Sequence, residues 1–113
     1  MELELVNKLV EAEEDQRSVV LATVIKSHGS SPRAEGAQML VWPDTSIAGT
    51  IGGGPAEAEV IAKSVELLKA RQKEPEKLHF RMDNDTSAET GGICGGNVDI
   101  FLEPYNFNNG GVQ

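Results

Sequence analysis

Cysteine is almost absent from this chain: Cys94 is the one cysteine among 113 residues. An intrachain disulfide is therefore impossible, and a zinc site built on four cysteines is excluded. His28 and His79 are the only histidines, so a metal site assembled from His and Cys is not expected. Long apolar runs are missing as well. None reaches the roughly 18 residues that span a bilayer, so no membrane segment is expected. Met1-Glu2-Leu3-Glu4 is acidic and lacks the basic start of a secretion signal, which makes the cytoplasm the expected compartment. Positive charge is in short supply, with 10 Lys and Arg against 18 Asp and Glu, a net charge of −8. That balance argues against nucleic-acid binding, which needs a basic patch to displace counterions. Much of the acid sits at Glu11, Glu13, Glu14 and Asp15, the pattern of a solvated helix face.

What is present reads as one small α/β domain. Residues 2–15 predict a helix with Leu5, Val6, Leu9, Val10 and Ala12 on its apolar face. Residues 18–26 are a β-branched run without strict alternation, the pattern of a strand covered on both faces. Residues 38–42 and 46–50 predict a hairpin turned by Pro43-Asp44-Thr45. A second helix is expected from Pro55 to Gln72, with Ala58, Ile61, Val65 and Leu68 as its apolar stripe and Glu57 as a cap residue. Residues 77–82 and 97–102 read as further strands. The expectation is a mixed sheet of about five strands with two main helices packed on it. The domain is expected to span residues 1–104, followed by a flexible tail over 105–113.

Three glycine-bearing segments stand out: His28-Gly29-Ser30-Ser31-Pro32-Arg33 with Gly36, Gly49-Thr50-Ile51-Gly52-Gly53-Gly54-Pro55, and Gly91-Gly92-Ile93-Cys94-Gly95-Gly96. The second is the most informative. A β-rich run breaks into three glycines and a helix starts at once, so free N–H groups and the helix dipole face the turn. That is a cradle for an anion or a carbonyl-rich heterocycle, and equally a tight strand-to-helix turn. The segment has neither the spacing of a dinucleotide fingerprint nor the Lys-Ser/Thr of a phosphate loop. Arg33 suits a bidentate phosphate contact or a surface ion pair. Ser30 and Ser31 suit ligand contacts or side-chain turn bonds. His28 reads as a turn residue before a pterin or pH-sensitive contact, Glu57 as a helix cap before an acid or base, and Trp42 as core or interface. Cys94, framed by glycines that contribute little packing, reads as a functional thiol before a core residue.

In this order the motifs resemble the N-terminal domain of the XdhC/CoxI family, accessory proteins of molybdenum hydroxylases such as xanthine dehydrogenase and aerobic carbon monoxide dehydrogenase. The matching pieces are Gly29-Ser30-Ser31-Pro32-Arg33 with Gly36 and Met39, then Gly49 to Gly54 with Glu57, then Cys94-Gly95-Gly96 ahead of Asp99-Ile100-Phe101-Leu102-Glu103-Pro104. The resemblance covers roughly residues 18–104. It implies a non-catalytic maturation chaperone that binds the molybdenum cofactor (molybdopterin) as a transient ligand, protects it while it is sulfurated, and passes it to the apo-enzyme. Carried onto this sequence, the implied cofactor contacts are Ser30, Ser31, Arg33, Gly52, Gly53, Gly54, Cys94, Gly95 and Gly96, with Cys94 as the metal ligand. The implied partners are the molybdenum hydroxylase apo-enzyme, a cysteine desulfurase, and a separate chain bearing the Rossmann-like second domain of longer members. A homodimer is expected.

Two other readings stay open. Cys94 is a nucleophile or sulfur carrier in an enzyme that needs a base from elsewhere in the fold. Alternatively, the glycine segments bind a partner protein alone and the chain is a regulatory module.

Overall fold

The computed structural model describes residues 2–28, 35–82 and 96–107; for His28, Met82 and Gly96 it describes the backbone alone. Two helices and five strands follow in the order α1 (Leu3–Glu14), β1 (Val19–His28), β2 (Gln38–Val41), β3 (Ile47–Gly49), α2 (Gly54–Lys69), β4 (Glu76–Met82) and β5 (Gly96–Tyr105). They form one α/β domain around a five-stranded sheet of order β3-β2-β1-β5-β4. Every ladder is antiparallel, where a mixed sheet was expected. The reason lies in the connections: β1, β2 and β3 are successive antiparallel neighbours, and α2 carries the chain from one edge of the sheet to the other. The chain then returns through β4, so that β5 settles beside β1.

β1 is buried on both faces, as its β-branched run predicts. Val20, Ala22 and Val24 face α2 in a core with Met39, Val41, Ile51, Val98, Ile100 and Leu102. Val19 and Leu21 face the other way, toward Leu40, Trp42 and the Leu5 and Ala12 side chains of α1. The hairpin turn is held by Asp44, whose Oδ1 accepts from Ser46 N at 3.0 Å and from Ser46 Oγ at 2.6 Å. Those bonds lower the Asp44 pKa, the Ser46 hydroxyl contributing most.

Both helices sit differently from their predicted stripes. In α1 the core face is Leu5, Leu9 and Ala12, while Val6 and Val10 are exposed. Positions i, i+4 and i+7 make the narrower line that short β2 and β3 can receive. In α2 the buried line is Ala56, Val60, Ser64, Leu67 and Leu68, with Ile61 and Val65 on its flank and Ala58 in solvent. Small Ala56 and Ser64 let the helix approach the sheet, and a polar residue in the stripe conceals it from a hydrophobicity pattern. Ser64 is fully buried and its Oγ has no hydrogen-bond partner among the described residues. Ser64→Ala is therefore expected to raise stability by roughly 0.5–1 kcal/mol, through removal of an unsatisfied hydroxyl and a better helix former. Thermal melting of the two proteins checks it, and a loss of stability would mean that the hydroxyl is bonded.

The strand ends also differ from expectation. β1 runs on to His28, whose backbone pairs with Asn97, so His28 is a strand residue and not a turn residue. β5 continues through Pro104 to Tyr105. Beyond Leu102 its pairing with β4 has ended and β1 is its one partner, and proline is tolerated on such an open edge. Asn106 Nδ2 then donates to Gln72 O at 2.9 Å, and Phe107 stacks on Tyr105 at 5.7 Å. The expected tail is thus engaged as far as Phe107, and residues 108–113 lie outside the described residues. No helix among the described residues is long and apolar enough to cross a membrane.

Register fixes what this architecture presents. β1, β3 and β4 run one way and β2 and β5 the other. Consequently His28, Gly49, Met82 and Gly96 all stand at one end of the sheet, the end from which all three glycine-bearing segments are connected.

Candidate functional site

At that end the Gly49–Pro55 turn leaves β3 and enters α2. Ile51 is buried and anchors the turn in the core, while Gly52, Gly53 and Gly54 follow with φ of 118°, 76° and 76°. Gly53 combines φ 76° with ψ −170° as the N-cap of α2, a backbone region that glycine alone visits readily. The Cβ position of Gly53 meets nothing within 4 Å, so the turn is open on that side to close approach by a ligand. The helix begins at Gly54, one residue before its expected start, and Pro55 takes its second position.

The N–H groups of this turn are already engaged by an internal anion. Glu57 Oε1 accepts from Gly53 N at 2.8 Å, from Ile51 N at 3.3 Å and from Thr50 Oγ1 at 2.8 Å. Thr50 Oγ1 in turn accepts from Gly52 N at 3.0 Å. Glu57 acts as a cap residue by reaching back to the N-cap N–H of Gly53, from the fourth helical position and without the return bond of a full capping box, since Gly53 has no side chain. Its carboxylate also complements the positive end of the helix dipole. An anionic ligand at Gly52 to Gly54 must therefore displace Glu57 or add to the rim of a turn that Glu57 holds in shape.

The other expected contacts divide by position. Ser30, Ser31, Arg33, Cys94 and Gly95 lie outside the described residues. Gly96 opens β5 and its backbone pairs with Met82.

Beside this end the sheet carries a polar face that sequence reasoning missed. Lys26 of β1, Asp99 of β5 and His79 of β4 lie in one cross-strand row. Asn97 and Arg81 form the next row toward the sheet end. Together they line a cavity of about 510 Å³. His79 Nδ1 and Asp99 Oδ1 are 2.5 Å apart. That hydrogen bond is the main reason the Asp99 pKa is lowered, with Lys77 and Lys26 adding smaller attractions. The available signal was the period-2 run Lys77, His79, Arg81, with a strand's alternation and three basic side chains on one face.

A depressed carboxylate pKa favours the fold above the unfolded-state value, and that contribution is lost as pH falls through the folded-state value. His79→Ala should return the Asp99 pKa toward the ordinary carboxylate range, as followed by NMR titration of its side-chain carboxyl. An unchanged Asp99 titration would remove His79 as its partner.

These features define a class: a small α/β domain whose antiparallel sheet brings glycine-framed chain segments to one end, with a carboxylate-capped turn among them. The profile of the XdhC and CoxI family matches residues 12–81, and the chain belongs to that family. It is 40% identical over 93 residues to the uncharacterized protein YqeB of Escherichia coli (strain K12), covering 82% of this chain and 17% of that one. It is 30% identical over 90 residues to a probable xanthine dehydrogenase subunit of Bacillus subtilis (strain 168), covering 80% of this chain and 27% of that one. A crystal structure described as a xanthine dehydrogenase from Bacillus halodurans superimposes with a TM-score of 0.64 at 28% identity, over 86% of this chain and 29% of that one. The chain thus spans less than a third of each of these relatives.

Proposed function

We propose that this domain serves molybdenum hydroxylases as a maturation factor, binding the molybdenum cofactor as cargo, shielding it while it is sulfurated, and delivering it to an apo-enzyme of the xanthine dehydrogenase or carbon monoxide dehydrogenase type. Membership of the XdhC and CoxI family, with relatives named for xanthine dehydrogenase, supports the association with these enzymes. The observation that carries the cofactor reading is the arrangement of strand ends. His28, Gly49, Met82 and Gly96 share one end of the sheet, so the three motif segments are attached side by side.

The residues suit such a cargo. The open side of Gly53 admits a ligand against the backbone, and Arg33 offers a fork for the cofactor's phosphate. Ser30, Ser31, Gly95 and Gly96 supply hydroxyl and N–H donors. Cys94 supplies a thiolate, the ligand type that a thiophilic metal selects. Glu57 holds the Gly52–Gly54 turn in shape, and the proposed role is binding and transfer without a catalytic residue. A cysteine desulfurase, the recipient apo-enzyme and a chain bearing a Rossmann-like domain are the proposed partners. A homodimer belongs to the same proposal, and the exposed Val6, Val10 and Ile47 side chains are apolar surface that it would cover.

Cys94→Ser tests the role of the thiol. The serine hydroxyl stays protonated near neutral pH and is a poor ligand to a soft metal. The variant should melt within a degree or two of the parent, yet lose most of its molybdenum when the two are purified side by side and analysed for metal. Retention of metal with a lower melting temperature would make Cys94 a packing residue.

A further inference from the structure

We infer that the polar half-face formed by Lys26, His79, Arg81, Asn97 and Asp99 is a binding site for a compact anion of the phosphate class. Three strands contribute to it, and the cross-strand register holds its side chains on one face around a cavity of about 510 Å³. That volume is several times larger than a phosphate or diphosphate group, so the charges and not the size of the cavity point to a compact anion. Lys77 adjoins the cavity two residues before His79 on the same side of β4, so Lys26, Lys77, Arg81 and the His79 ring confront Asp99 as the one acid in the two rows. This concentration of positive charge occurs in a chain whose net charge is −8.

Among the described residues the nearby carboxylates offset it only in part. Asp99 is engaged by His79, and Glu35 Oε2 accepts from the Ser27 backbone N–H at 2.9 Å. Lys26, Lys77 and Arg81 form no ion pair among the described residues. Basic side chains on an edge strand also discourage strand pairing between molecules, and β4 is an edge. That purpose accounts for Lys77 and Arg81 but not for Lys26, which stands on the central strand β1 and faces the same cavity. A larger cavity of about 700 Å³ at the opposite end of the sheet is lined by Arg17, Lys69, Arg71 and Lys73. There Lys69 ends α2 and Arg71 and Lys73 follow it, at the helix C-terminus, where the helix dipole alone favours cations. No helix end explains the charges on the sheet face.

The planar fork of Arg81, the Lys26 ammonium, the His79 ring and the Asn97 amide together offer donors to several oxygens of one anion. Small phosphate-bearing metabolites and the phosphate of a larger ligand share this chemistry, and the inference stands independently of the cofactor reading above.

The test is a titration of the full chain with inorganic pyrophosphate at constant ionic strength, followed by backbone amide shifts and repeated with sodium chloride as control. Saturable shifts centred on Lys26, His79, Arg81 and Asn97 are expected from pyrophosphate and not from chloride. Lys26→Gln and Arg81→Gln should each weaken binding about tenfold, the effect of removing one charge-assisted contact. Both positions are exposed, so melting temperatures should be unchanged. Shifts that never saturate, that centre on Gly52 to Gly54, or that persist equally in both variants would overturn the inference. Binding of molybdenum cofactor with no pyrophosphate response on this face would leave the maturation reading in place and reject this one.

Discussion

Gly49→Ala is expected to destabilise the domain by about 3 kcal/mol or more. Gly49 has φ +81°, and an added Cβ would stand 2.6 Å from the Gln38 carbonyl oxygen and 3.3 Å from Leu5 Cδ2. Alanine in this left-handed region costs about 1–2 kcal/mol. The contact adds about 1–3 kcal/mol of overpacking, because its partner is backbone in the paired strand and cannot rotate away. Relief would require β2 to shift or α1 to lift Leu5 off the sheet. Gly53→Ala is the internal comparison, since it carries backbone strain of about 1–3 kcal/mol and meets no neighbour within 4 Å. A melting temperature roughly 10–20 °C below the parent is expected for Gly49→Ala, and a smaller drop for Gly53→Ala. Equal stability of Gly49→Ala and the parent would show that Gly49 is not held left-handed against the Gln38 carbonyl of β2 as described.

Glu57→Ala should have the next largest effect, about 2 kcal/mol, or on the order of 10 °C in melting temperature. The substitution strands the N–H groups of Ile51 and Gly53 and the Thr50 hydroxyl, all of which converge on one carboxylate oxygen. Ile51 is buried, so its N–H has less access to replacement water than that of Gly53. Glu57→Gln keeps an acceptor of the same shape without the charge, and should lose about half as much. Denaturant melts of the three proteins check the order. Should Glu57→Ala match the parent, the carboxylate does not hold the turn, and the glycine N–H groups are as open as the bare sequence suggests.

That turn shows where the sequence was legible and where it was not. Three glycines between a strand and an amphipathic helix announce the strand-to-helix geometry, and proline behind them marks the helix start. The sequence also places Glu57 within reach as a cap. What it does not disclose is that one carboxylate collects two backbone N–H groups and a hydroxyl, because that depends on Thr50 and Glu57 meeting across the turn. The double-sided burial of β1 was readable from its β-branched run. The stripe of α2 was not, since fully buried Ser64 breaks the apolar period while Ile61 and Val65 mimic it one position away. The sheet face escaped for a different reason. Lys26, Asp99 and His79 are far apart in sequence, and only the antiparallel order β1-β5-β4 places them in one row.

The central claim is that this domain carries the molybdenum cofactor. The most direct measurement is the pterin and molybdenum content of the chain after production in a cell that makes the cofactor and purification without oxygen. Pterin would be read by fluorescence after oxidation, and metal by elemental analysis. The account predicts that both accompany the folded protein in a fixed ratio to each other and are released on unfolding. A folded protein with no more pterin and molybdenum than an unrelated protein purified in parallel would contradict it.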